Sequence, residues 1–443
     1  MFENKKIFIL GMAKSGFEAA KLLATRNNKI LITDQKEQKE EHVSELKRLG
    51  VEYIVTEHPE EILDQSYDVL IKNPGIRKDH VCVEKARKLK IPVINEVEMA
   101  AKLLPKNVHI IAVTGSNGKT TTVTITYEIL AAMGFPVYLV GNIGTPLSSI
   151  VNQIKENDMI VIEVSDHQLC DMYEFHPNIA VLTNLSEVHL DFHGDYKTYK
   201  NVKKKLFQNM TTHDIAILNH DNYDVMELTS DLKCKKLYFS GTQQKDCYVM
   251  NGYIWYQDEK VIALDDIRVQ GMHNYENIMC AILVAAQYGL DREVIREVLG
   301  NFGGVEHRIE YVRKLHGRTF YNDSKATNNK STEIALDAFT APTIVLLGGL
   351  DRGQSFDELE PHMEHVKHVI CYGETKDKIK AFCDRIKKDC IVLDDLEESV
   401  KAAYNLSDEG DVILLSPACA SWDQFETFEE RGELFKKIVE ELN

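Results

Sequence analysis

The hydrophobic positions of the chain form short runs that alternate with longer amphipathic stretches. Apolar runs of strand type occur, for example, at residues 7–10, 159–162 and 343–347, and stretches with apolar residues at helical spacing separate such runs. Strands that alternate with helices favour parallel sheets covered by helices on both faces. The pattern therefore predicts an α/β fold.

The alternation falls into three sections, which we expect to be three domains in a chain of 443 residues. Residues 1–98 have the doubly wound pattern of a Rossmann-like domain, and residues 307–443 repeat that class of pattern around another parallel sheet. Residues 99–306 form a central section with a predicted β-hairpin at Asn251-Gly252. The boundaries near 98 and 306 are predictions from the pattern alone.

Composition narrows the possible partners and the location. The chain has 52 basic and 69 acidic residues and a net charge of −17, which argues against general binding to nucleic acid or to anionic membranes. Anionic substrates would have to be attracted by local clusters of Lys and Arg.

The nine cysteines lack metal-type spacing, so we expect them to be reduced and mostly buried. No signal peptide or apolar run of about 18 residues occurs. We therefore expect a cytoplasmic protein without membrane insertion. The oligomeric state does not follow from these features, and a monomer is our working expectation.

The stretch from Val113 to Thr122, with the sequence VTGSNGKTTT, is the most informative local motif. It lies between a predicted strand and a predicted helix, where unpaired N–H groups and the helix dipole favour a phosphate. Lys119 could reach the outer phosphate oxygens, and the Thr120 hydroxyl could hold Mg²⁺. We interpret the stretch as a nucleotide-binding loop whose residues are Gly115, Ser116, Asn117, Gly118, Lys119, Thr120 and Thr121.

The loop is shorter than the common P-loop. Only Ser116 and Asn117 separate its glycines, where the common pattern has four residues. The alternative interpretation is a Gly-rich turn between strand and helix that carries a Lys-Thr pair by chance.

Two further residues follow predicted strands and could serve the same site. Glu163 ends an apolar run, so its carboxylate would lie at a strand C-terminal end, where Mg²⁺ could find a hard oxygen ligand. His189 follows the next strand and could bind a second metal or orient a carboxylate. Taken singly, each is more often an ordinary surface or core residue.

The order of several short strings resembles the Mur ligases of peptidoglycan synthesis over nearly the whole chain. Besides the loop, they are GNIG from Gly141, EVS from Glu163, NLSEVHLD from Asn184, HNYEN from His273 and HRIE from His307. Three more strings, at residues 322–328, 348–353 and 416–432, resemble the member of the family that adds D-glutamate. The resemblance implies that ATP phosphorylates the L-alanine carboxylate of UDP-N-acetylmuramoyl-L-alanine, and that the amine of D-glutamate attacks the acyl phosphate.

The resemblance also implies two Mg²⁺ ions. Thr120 and Glu163 would hold the first, while His189 and a carbamylated lysine would serve the second. That lysine should be Lys203, four residues after Tyr199, although Lys204 and Lys205 leave the register open. Without the resemblance, three lysines on a solvated helix face would be the ordinary interpretation.

The remaining site residues are carried over from the resemblance. For the nucleotide, Asn277 would contact adenine, Arg308 would neutralise phosphate charge, Asp323 would meet the ribose once the third domain closes, and Lys325 would lie near the reacting groups. The pocket for the two D-glutamate carboxylates would involve Thr327, Arg352, Ser421 and the backbone near Phe428, although other family members carry a lysine near Arg352. The UDP-sugar candidates are Lys14, Ser15, Asp34, Gln35, Lys36, Asn73, Gly75 and Asn142.

The sequence departs from the family at Asp166 and His167, where most relatives have Ser and an aromatic residue. An acid there would repel the substrate carboxylate, so we expect Asp166 to point away or to pair with a cation. Alternatives to the leading interpretation are another Mur-type or folylpolyglutamate-type amide ligase and a nucleotide-binding regulator without turnover. Retention of Lys119, Glu163 and His189 argues against the regulator.

Overall fold

A computed structural model of the chain describes residues 2–142, 144–188, 190–269 and 271–443. The chain divides into two compact units, Met1–Gly300 and Asn301–Asn443. Each unit has its own apolar core. No helix in the described ranges is long and apolar enough to cross a membrane.

The first sheet of unit 1 has five parallel strands in the order β3-β2-β1-β4-β5. Its central strand, β1, is almost entirely buried, as expected for a sheet covered on both faces. This confirms the doubly wound pattern. The strands are β1 (Lys6–Leu10), β2 (Lys29–Asp34), β3 (Glu52–Val55), β4 (Val69–Lys72) and β5 (Val93–Ile94), and the helices are α1 (Lys14–Ala24), α2 (Glu40–Arg48), α3 (Pro59–Ile62), α4 (Val81–Lys88) and α5 (Glu96–Ala101).

The second sheet has nine strands in the order β14-β13-β12-β11-β10-β9-β6-β8-β7. Strands β6 to β11 are parallel to their neighbours, and the predicted hairpin is confirmed by the pairing of Met250 with Tyr253. The strands are β6 (His109–Thr114), β7 (Val137–Gly141), β8 (Met159–Glu163), β9 (Ile179–Leu182), β10 (Ile215–Asn219), β11 (Lys235–Ser240), β12 (Cys247–Met250), β13 (Tyr253–Tyr256) and β14 (Glu259–Ala263). The helices are α6 (Lys119–Ala132), α7 (Asp166–Leu169), α8 (Leu190–His193), α9 (Tyr196–Lys204), α10 (Tyr223–Leu228), α11 (Met272–Ala285) and α12 (Arg292–Asn301).

Buried polar contacts from the start of α5 join the two sheets of unit 1. Asn95 donates from Nδ2 to the Gln168 carbonyl at 2.5 Å, and the buried Glu96 carboxylate accepts from the Ser148 N–H at 2.5 Å. Glu98 accepts hydrogen bonds from three successive N–H groups at residues 173–175. Because buried donors and acceptors are costly to leave unpaired, these contacts fix the second sheet against the first.

A buried ion pair supports the same junction. Lys72 Nζ lies 2.8 Å from Asp171 Oδ2, and both side chains are almost fully buried. The two groups attract each other through their charges, but no well-aligned hydrogen bond reaches Asp171 Oδ2. The ammonium instead donates to the Ile76 carbonyl at 2.6 Å. Losing either partner would leave an uncompensated charge inside the protein.

Unit 2 contains the third sheet, in the order β15-β16-β20-β17-β18-β19. The four strands that the sequence predicts, β17, β18, β19 and β20, are parallel to their neighbours, as expected. The edge pair β15 and β16, which the sequence did not predict, is antiparallel. His316 and Gly317 both have positive φ and form a tight turn, which can join only antiparallel strands. The strands are β15 (Glu310–Leu315), β16 (Arg318–Asn322), β17 (Thr343–Gly348), β18 (Val366–Tyr372), β19 (Cys390–Val392) and β20 (Val412–Leu415), and the helices are α13 (Asn329–Asp337), α14 (Lys376–Ile386), α15 (Leu396–Leu406) and α16 (Phe428–Glu441).

All of the cysteines except Cys170 and Cys390 are buried, in line with the expectation that most of them are. The boundaries near 98 and 306 stay predictions.

Candidate active site

The predicted nucleotide-binding loop connects β6 to α6, as its position in the sequence indicates. Gly118 has φ +78°, and a Cβ there would lie 2.2 Å from Asn277 Oδ1. At Gly115, with φ +150°, a Cβ would lie 2.0 Å from Thr183 Oγ1. Both positions therefore need glycine, for backbone conformation and for space.

Asn184 holds the first part of the loop. Its carbonyl accepts from the Ser116 N–H at 2.9 Å, and its Oδ1 accepts from the Asn117 N–H at 2.9 Å. The N–H groups of Ser116 and Asn117 therefore already have hydrogen-bond partners. A phosphate would instead be bound by the N–H groups in the first turn of α6, which have no partner within the helix. We did not single out Asn184 from the sequence, although its place after β9, the neighbour of β6, is a signal that could have found it.

Lys119 is folded back over the loop. Its Nζ donates to the Gly115 carbonyl at 2.9 Å and to the Ser116 carbonyl at 2.8 Å. The cation thus lies beside the loop on which phosphates are expected to bind.

Glu163 and Thr120 meet at the end of β8. The Thr120 hydroxyl donates to Glu163 Oε2 at 2.7 Å, and Asn142 donates from Nδ2 to Glu163 Oε1 at 2.9 Å. Glu163 is only 2% exposed. A buried carboxylate beside a hydroxyl and an amide supplies hard oxygen donors, so this group of residues fits Mg²⁺.

Lys203 reaches the loop from α9. Its side chain is fully buried, and Nζ donates to Thr114 Oγ1 and to the Gly115 carbonyl, both at 3.1 Å. Burial, reinforced by the nearby charge of Lys119, lowers the pKa of Lys203 to about 7. By contrast, Lys204 pairs with Asp231 at the surface, and Lys205 donates to the Cys170 carbonyl. Of the three lysines, Lys203 is therefore the one that lies at the loop.

Asp166 pairs with basic side chains, which is the second of the two arrangements we expected. Its Oδ2 lies 2.7 Å from His193 Nε2 and 3.3 Å from His167 Nδ1, and its Oδ1 lies 3.6 Å from Lys203 Nζ. The carboxylate is buried. Sequence reasoning missed His193, and only its position eleven residues after the end of β9 hints at a role.

His189 lies outside the described residues, so its predicted metal role stays a prediction. Thr121 lies in the first turn of α6, as its position in the motif requires. Asn277 lies on α11 against the start of α6, where its Oδ1 accepts from Thr122 Oγ1 at 3.2 Å. The adenine contact of Asn277 stays a prediction.

Most of the residues proposed for the UDP end surround the turn after β1. Asp34 accepts from the Met12 N–H at 2.8 Å and from the Lys36 N–H at 3.1 Å. Asn73 donates to Ser15 Oγ at 3.4 Å and accepts from the Gly75 N–H at 3.2 Å. Lys14 donates to the Gly144 carbonyl in the second sheet's section. Gln35, between Asp34 and Lys36, is exposed.

In unit 2, Asp323 is fully enclosed. Its carboxylate accepts from Ser416 Oγ at 2.7 Å and from the Ile309 N–H at 3.2 Å, and burial raises its pKa to about 7. Exposed Arg308 lies in the segment before β15. Its positive charge partly offsets the effect of burial on that pKa.

Arg431 is a residue that sequence reasoning missed. It is fully buried, donating from Nε to Ser324 Oγ at 3.0 Å and from Nη2 to the Ser324 and Cys419 carbonyls at 2.8 and 3.1 Å. It thereby ties together two segments that carry candidate D-glutamate residues. A sequence cannot distinguish such an arginine from a surface one, because helix α16 carries charges on several faces.

The candidate D-glutamate residues all lie in unit 2. Arg352 lies over the Trp422 ring at 4.6 Å, and Lys325 Nζ lies 5.6 Å from the centre of the Phe428 ring. Ser421 is 2% exposed, and Thr327 is half-buried. The structure thus brings Lys325 to Phe428 and Arg352 to the residue that follows Ser421.

Comparison with known protein families identifies the class of protein that has this fold. The model of the Mur ligase middle domain matches residues 113–285, that of the Mur ligase glutamate ligase domain matches 307–419, and that of the MurD-like N-terminal domain matches 5–95. The chain belongs to the Mur ligase family, whose members are ATP-dependent ligases of peptidoglycan precursor synthesis. The predictions of the family, of the fold class with its three domains and of an ATP-dependent ligase are confirmed.

The curated relatives point to one branch of the family. A protein of Geobacillus kaustophilus named UDP-N-acetylmuramoylalanine–D-glutamate ligase is 43% identical over 446 residues, with 100% of this chain and 98% of the relative covered. A Bacillus cereus protein of the same name is 42% identical over 445 residues, with the same shares covered.

Solved structures share the fold. The UDP-N-acetylmuramate–alanine ligase MurC of Thermotoga maritima has a TM-score of 0.63 at 19% identity, with 98% of this chain and 99% of that chain covered. The MurF ligase of Thermotoga maritima, solved in complex with ADP, has a TM-score of 0.57 at 16% identity, with 99% and 96% covered.

Proposed function

We propose that this chain is the ligase that joins D-glutamate to UDP-N-acetylmuramoyl-L-alanine at the expense of ATP. The observation that carries the proposal is that Thr120, Glu163 and Lys203 converge on one nucleotide-binding loop in a chain with full-length relatives of that name. ATP phosphorylates the L-alanine carboxylate, and the D-glutamate amine attacks the acyl phosphate. The products are an amide, ADP and phosphate.

The residues of unit 1 suit the first step, the phosphoryl transfer. Lys119 and the first-turn N–H groups of α6 bind and orient the ATP phosphates, since transfer depends on positioning and on charge neutralisation. Thr120 and Glu163 would hold one Mg²⁺, and His189 with Lys203 would serve a second. When bound, the metal would neutralise charge on the phosphate oxygens.

Lys203 is proposed to be carbamylated. Its lowered pKa, about 7, leaves a sizeable neutral fraction near neutral pH, and only the neutral amine attacks CO₂. The amine gains a carboxylate and releases a proton, so a buried cation becomes an anion. The neighbouring Asp166 would repel that anion, and the imidazoles of His193 and His167 lie 2.7 and 3.3 Å from Asp166 Oδ2, where they can hydrogen-bond to it.

The other assignments extend the proposal. Asn277 contacts adenine, Asp323 the ribose and Arg308 the phosphates. Asn142 and the residues around the turn after β1 bind the UDP-sugar, while Thr327, Arg352, Ser421 and Phe428 bind D-glutamate near Lys325. The cytoplasmic location and the monomeric state stay predictions.

The first test is phosphate release with each substrate omitted in turn. We expect release only when ATP, UDP-N-acetylmuramoyl-L-alanine and D-glutamate are all present, with a matching mass for the product. L-glutamate, L-lysine and a folate acceptor are the comparison substrates. Turnover with one of these in place of D-glutamate would favour another amide ligase, and nucleotide binding without turnover would favour a regulator.

A second test addresses Lys203. We expect Lys203→Ala to reduce kcat at least about 100-fold, because it removes the negatively charged carbamate that is proposed to serve the second Mg²⁺. Short carboxylates should restore part of the activity. Lys204→Ala is the matched control, since its side chain pairs with Asp231 at the surface and should leave kcat unchanged. Full activity of Lys203→Ala would refute the carbamate.

A further inference from the structure

Arg352 projects from a loop that is firmly anchored. The Leu350 N–H donates to the Ala420 carbonyl at 2.9 Å, and the Gly348 N–H donates to the Pro417 carbonyl at 3.0 Å. At Gly349 a Cβ would lie 2.3 Å from the Ala420 carbonyl, so the loop lies directly against the segment around residues 417–423. The backbone that carries Arg352 is therefore fixed to the backbone that carries Ser421 and Trp422.

In the described part of the chain, the guanidinium of Arg352 lies over the ring of Trp422, with Cζ 4.6 Å from the ring centroid. It has no hydrogen bond or ion pair there. The neighbouring Asp351 does not compete for it, because Asp351 pairs with Lys378 at 2.6 Å. All five N–H donors of the guanidinium thus remain available to an incoming anion.

Trp422 is a large aromatic residue held at the surface. It is 64% exposed, while Ser421 beside it is 2% exposed. The Ser421 carbonyl accepts from the Gln424 and Phe425 N–H groups at 3.1 and 2.8 Å, forming a turn at the base of Trp422. The backbone therefore presents the indole outward, where it covers one side of the Arg352 cation.

We propose that Trp422 is a positioning residue that holds the Arg352 guanidinium in place for a carboxylate of D-glutamate. The inference rests on the proposed function of this chain. An arginine that contacts an aromatic ring can still direct its N–H groups to a carboxylate, and can bind both oxygens at once. Without the ring, the long side chain of Arg352 would sample many rotamers and would lose that freedom on binding.

The main test compares Michaelis constants in the full chain. We expect Trp422→Leu to raise KM for D-glutamate about three- to ten-fold with little change in kcat. A change of this size corresponds to a cation–π interaction whose strength lies between that of an exposed pair and that of a desolvated pair. Trp422→Phe should restore most of the affinity. KM for ATP and for the UDP-sugar should not change. An unchanged KM for D-glutamate, or an equal rise for all three substrates, would overturn the proposal.

A double-mutant cycle tests whether Trp422 acts through Arg352. In an Arg352→Ala background, Trp422→Leu should have almost no further effect on KM for D-glutamate. If the two effects instead multiply, Trp422 acts independently of Arg352 and the proposal fails. Trp255→Phe is the matched control, because the chain has only two tryptophans and Trp255 lies in unit 1.

The Trp255→Phe variant also gives a direct readout, since Trp422 is then the sole tryptophan. Adding D-glutamate together with ADP and the UDP-sugar should change its fluorescence with a saturable dependence on D-glutamate. A flat signal would contradict a ligand beside Trp422. If the wild type does not consume D-glutamate, the proposed function itself fails; if it does and Trp422→Leu behaves like wild type, only this inference fails.

Discussion

At the scale of single residues, the site at the nucleotide-binding loop consists of polar side chains that satisfy one another. Glu163 accepts from both Thr120 and Asn142, and Lys203 donates to Thr114 and to the loop. Such a network fixes rotamers before any ligand arrives, which lowers the entropy cost of binding. A site residue can therefore be replaced by a neutral residue of nearly the same shape, which tests the contribution of its charge alone.

Glu163→Gln makes that separation. The amide has nearly the same shape and can keep a hydrogen bond to Thr120 or Asn142, so we expect thermal stability within about 1 kcal/mol of wild type. The loss of the charged metal ligand should lower kcat at least about 100-fold. Kinetics at increasing Mg²⁺, with melting curves, measure both effects. Glu156→Gln, at an exposed position, is the control, and normal activity of Glu163→Gln would contradict the metal role.

Sequence reasoning found the residues whose chemistry is tied to a motif and missed those whose role depends on packing. Thr120 and Glu163 follow from their positions at a helix start and a strand end. Arg431 and His193 were missed because their partners, Ser324 and Asp166, are 107 and 27 residues away in sequence. No local pattern records contacts of that kind.

At the scale of elements, α5 shows why the first two sections of the chain form one compact unit. Asn95, Glu96 and Glu98 each satisfy backbone groups from the second sheet's section. The sequence places these residues after an apolar run but gives no sign that they are buried. Asparagine and glutamate are mostly exposed in folded proteins, whereas these three are buried and connect the two sheets.

The buried carboxyl group of Glu96 makes the free energy of unfolding depend on pH. Burial raises its pKa from 4.5 to about 7, so the native state binds a proton more tightly than the unfolded state does. The free energy of unfolding therefore falls as pH rises from about 4.5 to 7 and is flat above that range. Glu96→Gln removes this dependence on pH and can still accept from Ser148.

We therefore expect Glu96→Gln to gain about 1 to 3 kcal/mol over wild type between pH 5 and pH 8, seen as a rising difference in Tm. Glu40→Gln, at an exposed position on α2, should show a difference that does not depend on pH. A constant difference for Glu96→Gln would show that its carboxylate is not desolvated in the native state.

At the scale of the whole molecule, the pattern of apolar runs predicted the three sheets but not how the chain divides. The first two sheets share one apolar core, which extends from Phe2 to Cys234. Unit 2 has separate cores on the two faces of its own sheet. Hydrophobic periodicity shows which face of an element is buried but not which partner covers it.

This division predicts that unit 2 folds alone. A fragment of residues 302–443 contains every strand of the third sheet and both of its cores, and its size is typical of a single domain. We expect a cooperative thermal transition and a dispersed NMR spectrum. The complementary fragment, residues 1–301, retains the nucleotide-binding loop, Glu163 and Lys203 and should bind ATP without releasing phosphate. A fragment 302–443 without a cooperative transition would show that its cores depend on the rest of the chain.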